Sequence, residues 1–126
     1  MKDKVVRNRT VRPFDVDGTL IVLYDPTVDA NCYIDIPDPI YPGKIIRLRK
    51  NNAMIRLMLE EKHRGSYILV WSRGGYEWAE TVIRALDLYD VVDIIMDKPL
   101  AYFDDMEVSR WLKDRVFIGP DEKYKE

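Results

Sequence analysis

A single cysteine, Cys32, and a single histidine, His63, stand among the 126 residues of this chain. One thiol excludes an internal disulfide and accords with a reducing compartment. Cys32 has no Cys or His near it in the sequence, so it reads as an idle or buried thiol and not as a nucleophile or ligand. One imidazole argues against a Ser-His-Asp triad and against a His-rich metal site. His63 lies in Glu60-Glu61-Lys62-His63-Arg64-Gly65, a stretch suited to a helix C-terminus, where positive charge is favoured. No apolar run approaches the ~20 residues that span a bilayer. No apolar signal core follows Met1-Lys2-Asp3-Lys4, so the expected location is cytoplasmic. Repeats, linkers and low-complexity segments are missing as well.

What is present is the composition of a globular domain. Apolar residues make up 47% and charged residues 33%, enough for one domain, 1–126, to bury a core without staples. The net charge of −2 hides a blockwise distribution. Residues 1–12 carry Lys2, Lys4, Arg7, Arg9 and Arg12 against Asp3, and residues 13–40 carry six Asp and no base. Residues 41–73 carry eight bases against Glu60 and Glu61, and residues 74–126 are acidic again. Such blocks mark exposed faces of different sign. They also suit an acidic metal site rimmed by bases that attract phosphate.

The pattern along the chain alternates strands with helices. Val5-Val6 and Val11 lead to a first strand near 10–15. Residues 21–43 hold the turn signals Asp25-Pro26, Pro37-Asp38-Pro39 and Pro42-Gly43 around one strand-like run, Cys32 to Ile36. Lys44 to Arg49 can pair with that run as a small hairpin. Asn51 or Asn52 caps a helix over Ala53–Arg64, with Met54, Ile55, Met58 and Leu59 as its apolar face and Gly65 as its stop. Tyr67 to Trp71 is the continuous apolar run of a buried parallel strand. Glu77–Leu86 reads as the next helix and Val91–Ile95 as a third, buried strand. Ala101–Phe103 and Val116–Ile118 read as short fourth and fifth strands, with a helical turn over Val108–Lys113. The polar tail from Pro120 is expected to fray. This alternation predicts an α/β domain of three layers, α/β/α and Rossmann-like, with a mostly parallel sheet of about five strands and a hairpin flap.

In such sheets ligands sit beyond the C-terminal ends of the strands. Asp15-Val16-Asp17-Gly18-Thr19 closes the first strand. Carboxylates one residue apart on a strand point to the same side, and they repel unless a cation, a shared proton or a metal-bound phosphoryl group lies between them. Gly18 permits a sharp turn and Thr19 can hold it. Ser72-Arg73-Gly74-Gly75 closes the strand at Tyr67–Trp71, Lys98 precedes the fourth strand, and Asp104-Asp105 ends it. Plainer roles exist for each: an acidic turn, a helix N-cap at Ser72, a surface lysine, and a cap at Asp104-Asp105 for a helix from Met106. Trp71 and Trp78 suit core or pocket wall.

Together these residues match one chemistry. A carboxylate that attacks a phosphate monoester needs its charge neutralised by Mg²⁺ and by a lysine. It needs a hydroxyl and N–H groups for the transferring oxygens, and a second acid for the leaving group. A covalent aspartyl-phosphate then divides the reaction into two easier steps. The order Asp15/Asp17, Ser72, Lys98, Asp104/Asp105, with Asp15-Val16-Asp17-Gly18-Thr19-Leu20 at its head, resembles the haloacid dehalogenase (HAD) superfamily of phosphohydrolases over residues 10–118.

The resemblance implies a HAD-like hydrolase domain with the following roles. Asp15 is the nucleophile and a Mg²⁺ ligand. Asp17 is the general acid/base and binds the metal through its carbonyl. Ser72 binds the phosphoryl group beside the N–H groups of Arg73 and Gly74. Lys98 pairs with Asp15 and the phosphate. Asp104 and Asp105 complete the metal set, either one as the direct ligand. The gaps between motifs have no room for a cap domain, which leaves water exclusion to the substrate or to another subunit, so a homo-oligomer is among the expected partners. The expected activity is Mg²⁺-dependent phosphomonoester hydrolysis on a small molecule or a nucleic-acid end. The alternatives are a nucleic-acid 3′-end or nucleotide phosphatase, resembling the phosphatase half of polynucleotide kinases, and a non-catalytic phosphate-binding module. Lys44, Arg47, Arg49 and Lys50 suit a solvated face, or a polyanion in the nucleic-acid case. A response-regulator receiver is disfavoured, because its paired acids come first and its lysine last.

Overall fold

A computed structural model describes residues 10–122. Val5-Val6 and the end of the tail, 123–126, lie outside the described residues. The first strand, β1 (Val11–Asp15), ends at the expected acids. A tight turn follows it, in which the N–H groups of Thr19, Leu20 and Ile21 all point to the Val16 carbonyl. Gly18 adopts φ +82° there, a conformation open to glycine because it has no Cβ. The chain then forms β2 (Ile21–Val22), β3 (Tyr33–Pro37) and β4 (Ile45–Lys50), an antiparallel sheet in the order β2-β4-β3. It is larger than the expected hairpin, because Ile21 and Val22 pair with Lys50 and Arg49. Nor is it a free flap: Ile36 is fully buried, and β3 packs against α2 (Tyr76–Ala85).

Helix α1 (Asn52–His63) starts where an Asn cap was expected, with Asn51 Oδ1 accepting from the Met54 N–H. Its buried face is Ala53, Met54 and Met58, whereas Leu59 is exposed. At its far end Glu61 accepts from Ser66 Oγ at 2.7 Å, from Arg12 Nε at 3.1 Å and from Arg64 at 3.2 Å, which ties the helix to β1. The Ser66 hydroxyl, then Arg12 and Arg64, hold its carboxyl below the ordinary value of 4.5. A depressed carboxylate stabilises the fold above its unfolded pKa and ceases to do so as pH falls through the folded one. Ser66→Ala is therefore expected to lower the urea midpoint at pH 7, and the gap to wild type should narrow below about pH 4. A gap that is constant or widens in acid would contradict this.

Strand β5 (Tyr67–Ser72) pairs in parallel with β1 on one side and with β6 (Ile94–Asp97) on the other, giving a three-stranded parallel sheet in the order β1-β5-β6. The alternation of burial along β5, with Ile68, Val70 and Ser72 fully buried, places it at the centre of the core. Phe14, Val16, Leu20, Met58, Val82 and Ile83 pack around it. The described residues thus form an α/β protein with a three-strand parallel sheet and two helices. Among the described residues no helix is long and apolar enough to cross a membrane.

Three expectations fail here. The third strand lies at 94–97 instead of 91–95, and Ile94 is exposed: β6 is an edge strand, not a buried one. Ala101–Phe103 and Val116–Ile118 form no strand, so the parallel sheet has three strands instead of about five. Residues 101–117 are exposed throughout, and their only regular element is a 3₁₀ turn at Val108–Arg110 within the expected helical turn. A three-residue apolar run has no strand of its own without a neighbour to pair with, and no ladder reaches these residues.

Candidate functional site at the strand ends

The parallel register brings the C-terminal ends of β1, β5 and β6 side by side. Asp15 lies opposite Trp71, and Ser72 opposite Asp97. Lys98 follows directly after β6, and its N–H donates to the Ser72 carbonyl at 2.9 Å. That bond fixes the backbone from which the lysine side chain reaches back across the strand ends. Its Nζ lies 3.7 Å from Asp15 Oδ1, with both side chains about one-third exposed. Asp15 Oδ2 also accepts from Thr19 Oγ1 at 3.4 Å, so Thr19 serves the carboxylate as well as the turn. A cation beside one oxygen and a hydroxyl near the other orient the carboxylate, as attack by a nucleophile requires.

Asp17 sits in the turn two residues on, exposed, with Val16 fully buried between the two acids. Its carboxylate accepts from the indole Nε1 of Trp78, 3.0 Å to one oxygen and 3.1 Å to the other. Ser72 is fully buried, and its Oγ accepts from the Gly74 N–H at 2.9 Å. The Gly74 amide, expected to face a phosphate, is therefore turned onto the serine. The plainer role for Ser72 fails too: α2 has no side-chain cap from it, and Gly75, at φ +102°, is the cap residue. The first free helical amide, that of Tyr76, donates instead to Asp97 Oδ1 at 2.6 Å. Arg73 is exposed.

Asp104 and Asp105 are exposed in the segment beyond the sheet. Asp104 Oδ1 accepts from the Met106 N–H at 3.0 Å, a local turn bond; no helix starts at Met106, and the 3₁₀ turn at Val108–Arg110 has Glu107 as its cap residue. The Met106 N–H, followed by the Asp105 side chain, holds the Asp104 carboxyl below the usual carboxylate range. Among the described residues no three His, Cys, Asp or Glu side chains stand together as a metal-holding group. The structure thus brings together Asp15, Lys98 and Ser72, and adds Thr19, Trp78 and Asp97. It does not join Asp104 and Asp105 to them as a metal cage.

The basic stretch on β4 is also resolved. Arg47 is bound bidentately by Asp35, at 2.7 and 2.9 Å. Arg49 is buried and paired with Asp121 at 2.5 Å. Two of the four bases are therefore engaged within the chain and do not form a cationic face. Comparison with known proteins brings no match: no family model, curated protein or solved structure is significantly similar to this chain.

Proposed function

We propose that the chain is a Mg²⁺-dependent phosphomonoester hydrolase of the HAD type that works through an aspartyl-phosphate on Asp15. The approach of Lys98 Nζ to Asp15 Oδ1, 3.7 Å between residues far apart in sequence, carries this proposal. A lone acidic turn has no use for a cation delivered from another strand end. A nucleophile that must meet an anionic phosphate does. Asp15 attacks phosphorus, the ester oxygen leaves with a proton from Asp17, and Asp17 then takes a proton from the water that releases phosphate. Lys98 offsets charge on Asp15 and on the phosphoryl oxygens. Asp15 and the Asp17 carbonyl would hold the metal, whose charge neutralises the phosphate when bound.

In this proposal the three parallel strands belong to a three-layer α/β/α sheet of about five. Among the described residues the β1 edge away from β5 carries no strand. Ser72 would turn its hydroxyl from the Gly74 amide to the phosphoryl group, which frees the Gly74 N–H to join that of Arg73 there.

A phosphate-release screen over aryl phosphates, sugar phosphates, nucleotides and 3′-phosphorylated oligonucleotides tests the proposal. Turnover with Mg²⁺ and its loss in EDTA are expected. No release from any substrate would sink the enzyme and leave a phosphate-binding module. Activity confined to oligonucleotides and falling steeply with salt would point to the nucleic-acid alternative. That outcome is disfavoured by the engagement of Arg47 and Arg49 with Asp35 and Asp121.

A further inference from the structure

We propose that Trp78 is the positioning residue for the Asp17 carboxylate; this rests on the phosphatase proposed above, in which Asp17 moves the proton. An indole has one N–H and no acceptor, so contacts of 3.0 and 3.1 Å to the two oxygens place that hydrogen between them. The bond joins two distant elements, the turn after β1 and the first turn of α2. The indole itself is held. A Cβ on Gly74 would lie 3.0 Å from Trp78 Cδ1, tighter than ordinary contact, so the indole packs closely on the glycine and a larger residue there would have to push it aside. The helix turn that carries it is fixed in turn by the bond from Tyr76 N–H to Asp97 at the end of β6.

Asp17 needs such a hold. It is exposed and lies beyond the last residue of β1, so the ladder that orients Asp15 does not reach it. A surface carboxylate samples several rotamers. A general acid must be within hydrogen-bond reach of one leaving oxygen. The indole selects one rotamer and leaves lone pairs on both oxygens for a proton. Its contribution is made after substrate is bound, so it belongs in kcat and not in KM.

Trp78→Phe, which keeps a ring and removes the donor, is expected to lower kcat roughly tenfold or more with KM within about twofold. Trp78→Gln restores an N–H at the same number of bonds from Cβ while removing the ring. If the donor matters, Gln exceeds Phe in kcat; if Trp78 is only packing, Phe exceeds Gln. A readout independent of turnover is the indole N–H resonance of Trp78, identified by its loss in Trp78→Phe. It should move in Asp17→Ala and stay in place in Asp105→Ala. An active wild type with Trp78→Phe at full kcat, Phe above Gln, or an indole resonance indifferent to Asp17→Ala overturns the role of Trp78 and leaves the phosphatase standing. A wild type inactive on every substrate overturns the phosphatase itself, and the role of Trp78 with it.

Discussion

Asp15→Asn is expected to reduce the turnover of an aryl phosphate at least a thousandfold, a loss of about 4 kcal/mol in transition-state stabilisation. The size follows from the site. The amide has the shape of the carboxylate but is a far weaker nucleophile. Asp17, two residues on, lies beyond β1 and is held by Trp78. Stability should barely change, because the Lys98–Asp15 contact is 3.7 Å long and about one-third exposed, a setting in which an ion pair contributes about 0–1 kcal/mol. The pair of measurements therefore separates chemistry from folding: phosphate release should collapse while the urea midpoint stays within error. Asp15→Asn with more than a tenth of wild-type kcat would remove Asp15 as nucleophile. Lys98→Ala should also be slow, since it takes away the charge beside the attacking oxygen.

The second large effect concerns a residue with no part in the chemistry. Asn51→Ala is expected to destabilise the protein by about 2–4 kcal/mol. Asn51 is fully buried. Its Nδ2 donates to the Thr19 carbonyl at 2.9 Å and to the Ile118 carbonyl at 2.8 Å, and its Oδ1 accepts from the Met54 N–H at 3.4 Å. One amide thus caps α1, closes the turn after β1 and anchors the chain beyond residue 117. Alanine removes all three bonds, each with a net contribution of about 1 kcal/mol, and leaves their partners to find water. Asn51→Ser keeps a cap oxygen and should recover about 1 kcal/mol, since it restores the helix N-terminus without reaching both carbonyls. Urea unfolding at neutral pH reads both variants. An alanine variant within about 1 kcal/mol of wild type would show that the cap and the two carbonyls are satisfied without Asn51.

Much of the local architecture was legible before the fold was known, for one reason: its signals are periodic or positional. Tyr67–Trp71 is continuously apolar because β5 is paired on both sides and lies in the core. Asn51 and Gly65 bracket α1 because a helix leaves unpaired amides at one end and needs a stop at the other. The acids of the first motif end a strand as expected. The segment after Lys98 failed because its apolar runs are three residues long and carry no period. Strand formation there depends on a partner edge, which no local pattern encodes. Phe103 and Val116, read as strand residues, lie largely exposed. Arg49 failed in another way, being buried where a solvated face was expected, while Arg47 is exposed as expected. Their positive charge was visible, but not the Asp35 and Asp121 that face them.

Residue types and spacing alone established an α/β chain with one thiol, an acidic turn at a strand end and a lysine after the third parallel strand, since period and turn chemistry are properties of neighbouring residues. Tertiary structure alone decided which side chains meet: Lys98 with Asp15, Trp78 with Asp17, Asp97 with the start of α2, and Asn51 with two remote carbonyls. A hydrogen bond acts over about 3 Å whatever the length of chain between its partners, so only the folded path determines who is near enough to make one.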